Sequence, residues 1–170
     1  MIRLLGAVLL TCGGAAIGFS AAAALTRRAR GLRAVLGALE LLERELSFRL
    51  TPLPDLLARL AQLAAPPASG FFAACREGLD QLGEQSMAQI WAAALARRPM
   101  DLAPEDKNIL LELGGVLGRY DGPGQREALG EIRARLLCQA ERAEEESRRM
   151  GRVYGALGLS AGSFLVIVLL

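Results

Sequence analysis

The chain has 170 residues, 52% of them apolar and 22% charged, and a net charge of +2, more apolar than a soluble domain of ordinary charge content. With no histidine and only three cysteines, Cys12, Cys75 and Cys138, none in a CxxC pair, it excludes Ser/His/Asp and Cys/His catalytic sets, a disulfide framework and the usual zinc sites. The cysteines read as small buried apolar residues. The apolar excess lies at the two ends, and the segment between Arg27 and Arg152 carries 19 basic and 18 acidic side chains, a net charge of +1. A near-neutral segment has no bias toward nucleic acid.

The first element, Leu4 to Thr26, is 23 residues without a charge, and about 20 helical residues cross a bilayer core. Arg27, Arg28, Arg30 and Arg33 follow it. Positive charge beside an apolar run stays in the cytoplasm, so an uncleaved anchor with its amino end outside is expected rather than a cleaved signal peptide.

From Arg27 to Arg49, Leu32, Val35, Leu36, Leu39, Leu42 and Leu46 recur at helical spacing and predict one helix continuing the span. Glu40/Arg44 and Glu45/Arg49 are favourable pairs on its polar side. Thr51-Pro52 predicts a threonine cap with Pro52 at the first helical position of a second helix and Pro54 within its first turn, the helix ending near Ala64 before Pro66-Pro67. A third helix is expected from Ser69 or Gly70, with Phe71, Phe72, Cys75 and Leu79 on its apolar face. Ser86 caps a fourth, carrying Ile90, Trp91 and Leu95 and closed by Pro99. Pro104 opens a fifth, with Glu105 and Asp106 in its first turn, where acids favour the helix dipole, and a stripe of Ile109, Leu110, Leu113, Val116 and Leu117. After the turn cluster Asp121-Gly122-Pro123-Gly124, a long helix from about Gln125 to Arg152 carries Leu129, Ile132, Leu136, Ala140 and Ala143 on one side.

The last element, Val153 to Leu170, is again uncharged and preceded by Arg148, Arg149 and Arg152. It predicts a second span entered from the cytoplasm. The organisation expected is therefore a transmembrane helix over 1–26, a soluble helical domain over 27–152 and a transmembrane helix over 153–170. The fold class is all-α, a six-helix cytoplasmic bundle whose first and last helices pack antiparallel. Gly14 and Gly18 in the first span, and Gly158 and Gly162 in the second, have the spacing that lets helices approach closely.

No constellation carries chemistry. Gly114-Gly115-Val116-Leu117-Gly118 lacks the Gly-Lys-Ser/Thr of a phosphate loop and reads as small packing residues near a helix end. Glu144, Glu145 and Glu146 point about 100° apart on one helix and cannot converge on a metal. Neither span holds a charge, which argues against an ion or proton path. No enzyme activity and no cofactor are expected.

Several short motifs follow one another in a set order. They are Leu42-Glu43-Arg44-Glu45-Leu46-Ser47-Phe48 followed by Thr51-Pro52-Leu53; Trp91 in a mid-chain helix; Leu117-Gly118-Arg119-Tyr120-Asp121 with Gln125 four residues on; and Met150-Gly151-Arg152-Val153-Tyr154-Gly155-Ala156-Leu157-Gly158-Leu159 before an apolar tail. In this order they resemble the stage III sporulation protein AB family, and the resemblance covers essentially the whole chain. It implies a scaffold in the mother-cell half of a transenvelope channel joining mother cell and forespore, in the outer forespore membrane. It also implies a helical domain similar to the type II secretion F, or platform, protein domain. The expected partners are the cytoplasmic secretion-type ATPase of the same operon, other channel membrane subunits, the lipid bilayer and further copies of the chain, with no nucleic acid. The matched candidates for partner contact are Glu43, Glu45, Thr51, Pro52, Leu53, Asp121 and Gln125. The alternative is a platform-type subunit of a type II secretion or type IV pilus-like machine; such proteins carry two copies of the domain, and no internal repeat occurs here.

Overall fold

A computed structural model describes residues 2–48, 51–98, 100–119 and 123–169. Six α-helices follow in order: α1 (Ile2–Phe48), α2 (Leu53–Leu63), α3 (Ala68–Gly78), α4 (Met87–Arg97), α5 (Pro104–Arg119) and α6 (Pro123–Leu169), with a 3₁₀ turn at Leu79–Gln81 after α3. The fold is all-helical, and no β-strand occurs among the described residues. The chain divides into two compact units, Met1–Ala29 with Arg142–Leu170, and Arg30–Glu141.

The unit Arg30–Glu141 is built on the apolar stripes read from the sequence. Leu32, Val35, Leu39 and Leu42 of α1 are buried, as are Leu129, Ile132, Leu136 and Ala140 of α6. An ion pair between Arg133 and Glu43, at 3.4 Å, joins the same two helices. The short helices stack in sequence, α2 on α3, α3 on α4 and α4 on α5. Phe71, Phe72 and Trp91 are almost fully buried at the centre. Their rings meet edge to face, Phe71 and Trp91 at 4.8 Å and Phe71 and Phe72 at 5.1 Å between centroids, the arrangement that aromatic quadrupoles favour. Fully burying each such side chain is worth about 1.5–3 kcal/mol.

Helix starts follow local chemistry, not always as expected. Ser86 caps α4 with a full capping box: its hydroxyl accepts from the Gln89 N–H, and the Gln89 side chain accepts from the Ser86 N–H. Thr51 does not cap α2. Pro52 occupies the cap position, Leu53 opens the helix and Pro54 falls in its first turn, while the Thr51 hydroxyl donates to Glu45. Helix α3 begins at Ala68, one residue before the earliest start expected, and Leu79 leaves its apolar face for the 3₁₀ turn, where it is half-buried. Val116 is half-exposed rather than core. The buried neighbour at that turn of α5 is Gly114, which faces Trp91. Pro99 and Asp121 lie outside the described residues, and α6 begins at Pro123, two residues before the start expected.

In the unit Met1–Ala29 with Arg142–Leu170, the Thr26 and Ser147 hydroxyls share a hydrogen bond of 3.0 Å, and Arg28 lies 3.7 Å from Glu146. The contacts progress in opposite directions along the two helices, so the pairing is antiparallel as expected. Both helices run without a break through residues 26–27 and 152–153. Among the described residues, no helix is long and apolar enough to cross a membrane. Most side chains of the runs 4–26 and 153–170, including the surroundings of Gly14, Gly18, Gly158 and Gly162, fall outside those described.

Candidate functional site

The corner between α1 and α2 gathers polar side chains that neither helix needs for its core. Glu45 sits half-buried in the last turn of α1, at the flank of the buried stripe and one turn on from Leu42. Its carboxylate is held at both oxygens: Thr51 Oγ1 donates to Oε2 at 3.0 Å, and Arg59 Nη1 donates to Oε1 at 2.7 Å. Thr51 lies in the connection and Arg59 on the second turn of α2, so this carboxylate clamps the corner from both sides. Thr51, Pro52, Asp55, Ala58, Arg59 and Gln62 line an open groove of about 620 Å³ beside it. Asp55, Arg59 and Gln62 are exposed. The groove offers a carboxylate, a guanidinium and an amide to a protein surface, on a rigid helical base.

This corner holds Glu45, Thr51, Pro52 and Leu53 together, with Leu53 half-buried at the first position of α2. It does not include the other candidates. Glu43 lies two residues from Glu45, about 200° around the helix, and pairs with Arg133 on α6. Gln125 is half-buried in the first turn of α6. Asp121 lies outside the described residues. Arg59, Asp55 and Gln62 were missed in the sequence. The only signal that could have found them is their spacing on the outer side of α2, which by itself marks no more than a wet helix face.

A second open groove, of about 480 Å³, lies between α5 and α6 and is lined by Glu105, Asn108, Ile109, Glu112, Arg135, Cys138 and Gln139. The Arg135 guanidinium forks onto both oxygens of Glu112, and the hydrogen bond to that carboxylate raises its pKa. Cys138 is exposed here, which corrects the expectation that every cysteine is buried; Cys75 is buried as expected, and its desolvated thiol is pushed up to about 12. Cys12 has no described side-chain surroundings. Among the described residues, no cluster of His, Cys, Asp or Glu could hold a metal ion.

Comparison with known proteins adds a family to this geometry. The chain is 28% identical over 172 residues to stage III sporulation protein AB of Bacillus subtilis (strain 168), with both chains covered completely. A solved structure of a stage III sporulation protein AB matches it with a TM-score of 0.64 at 27% identity, covering 72% of this chain and 97% of that one. The sequence profile of the family named stage III sporulation protein AB matches residues 3–170. The chain therefore belongs to the stage III sporulation protein AB family.

Proposed function

We propose that this protein is a membrane-anchored scaffold of the sporulation channel complex, which seats a cytoplasmic secretion-type ATPase at the membrane. The observation that carries the reading is the α1–α2 corner, which holds Glu45, Thr51, Pro52 and Leu53, four residues of the motifs matched to the family, and where Thr51 and Pro52 line an open groove. Family membership supports a role in sporulation, since the relatives matched are named for it. The charge-free runs 4–26 and 153–170 with their arginine flanks support two spans and a cytoplasmic bundle. The likeness of the bundle to secretion platform domains belongs to the same reading, as do contacts with other channel subunits or further copies of this chain.

The scaffold has no chemistry of its own to perform. Its task is to present a fixed surface to the motor, and a carboxylate held from two elements suits that task. Co-purification of the full chain, in detergent, with the ATPase encoded beside it tests the reading. Retention of the ATPase is expected. A chain that retains none, in a strain whose deletion still forms normal spores, overturns it.

A further inference from the structure

The contacts between α1 and α6 in the unit Met1–Ala29 with Arg142–Leu170 set the register of the two helices. Thr26 is level with Ser147, and Arg28, two residues on, pairs with Glu146, one residue back. Both helices rise about 1.5 Å per residue, so equal steps from the Thr26–Ser147 pair reach equal levels. Six steps reach Ser20 on α1 and Val153 on α6, and seven reach Phe19 and Tyr154.

This register sets the two apolar runs at odds. The uncharged run of α1 extends to Thr26, whereas that of α6 begins only after Arg152. A hydrocarbon boundary at Thr26 would draw Arg148, Arg149 and Arg152 inside it, because they stand level with about Leu25, Ala24 and Ala21. Arginine within hydrocarbon is costly, and near a boundary it reaches for the headgroups instead. The surface itself changes character one step further on. Phe19 is 80% exposed and Val153 42% exposed, and Tyr154 is half-buried at the same level, while Arg148 and Arg149 are exposed just beyond. Outward aromatic and apolar side chains bordered by arginines are what a membrane interface favours. Ala21 to Ala24, between these levels, are too small to demand either environment.

We propose that the polar–apolar boundary of an anionic-lipid bilayer meets this helix pair at the level of Phe19 and Val153–Tyr154. Ser20 to Thr26 then lie outside the hydrocarbon, and Arg148 and Arg149 stand among the headgroup phosphates. The first span is set by its partner's arginines rather than by its own first charge, and is shortened by about two turns. The proposal rests on the two-span reading and fixes the depth of the pair within it.

Cysteine accessibility in the full chain tests this, using lipid nanodiscs containing phosphatidylglycerol and a C12A/C138S background in which the buried Cys75 is silent. Ala16→Cys, Ala24→Cys and Ser160→Cys place thiols at exposed positions, where only lipid can shield them from a membrane-impermeant maleimide. The expected result is rapid reaction at position 24 and reaction about tenfold slower or more at 16 and 160. Equal protection at 16, 24 and 160 would overturn the boundary while leaving the anchors in place. Equally rapid reaction at all three would overturn the two-span reading and the proposal with it.

Discussion

The indole N–H of Trp91 donates to the Leu110 carbonyl at 2.8 Å, one helical turn before Gly114, where an added Cβ would stand 2.6 Å from Trp91 Cγ. The hydrogen bond and the close approach fix α4 against α5 and satisfy the one polar atom of the largest core side chain. Gly114→Ala is therefore expected to destabilise the fold by about 1–3 kcal/mol through overpacking, against the usual gain of Gly→Ala in a helix. Gly130, in α6 with no atom within 4 Å of an added Cβ, should show that ordinary gain of about 0.5–1 kcal/mol. Urea unfolding followed by circular dichroism measures both, and opposite signs are the expected outcome.

Cys75 and Cys138 should separate completely in reactivity. Cys138 is exposed, whereas Cys75 is buried with a thiol pushed up from 9.0 to about 12 by desolvation. Peptide mapping after brief alkylation at pH 8 should find Cys138 modified and Cys75 untouched until the protein unfolds. The same shift gives a pH dependence. The folded state holds the Cys75 proton where the unfolded state releases it, so the contribution is fully present below pH 9.0 and lost as pH rises toward about 12. Its slope approaches about 1.4 kcal/mol per pH unit. The stability difference between wild type and Cys75→Ala should narrow between pH 8 and 10.5; a constant difference would contradict this assignment.

Asp106 is fully buried, and its Oδ2 accepts from the Ala103 N–H at 3.0 Å, tying the connection before α5 to the first turn of that helix. Asp106→Ala leaves that part-buried N–H without this acceptor and should cost about 1–2 kcal/mol, whereas Asp106→Asn retains an acceptor oxygen and should cost less. Thermal melting of the two variants in parallel gives the order.

The helices and the core were largely legible in the sequence, because periodicity reports burial directly. Leu32, Leu39, Leu110, Leu136 and Trp91 fall where their spacing places them. Ser86 was legible as a cap because its capping-box partner, Gln89, lies only three residues on in the same segment. Thr51 was misread because the helix begins one residue later than its pattern suggests, with Pro52 at the cap, and the threonine side chain turns instead to Glu45 on the preceding helix. Of the candidate site, the motif residues Glu45, Thr51, Pro52 and Leu53 were legible through the family resemblance, but Arg59 was not. Its role depends on the angle at which α2 returns past α1, and no residue spacing encodes that angle. Cys138 was misread because its stretch of α6 is apolar on one side only, and the cysteine lies on the other.

The α1–α2 corner as an ATPase seat is tested most directly by the affinity of the full chain, in detergent, for the partner ATPase. Glu45→Gln, Thr51→Ala and Arg59→Ala alter a corner that is partly exposed to solvent, so each should cost no more than about 1 kcal/mol of stability. Each is expected to weaken binding about tenfold or more, equivalent to about 1.4 kcal/mol. Glu43→Gln, which faces Arg133 instead, should leave binding unchanged. Affinity undiminished by the three corner substitutions, or lost equally with Glu43→Gln, would contradict the account.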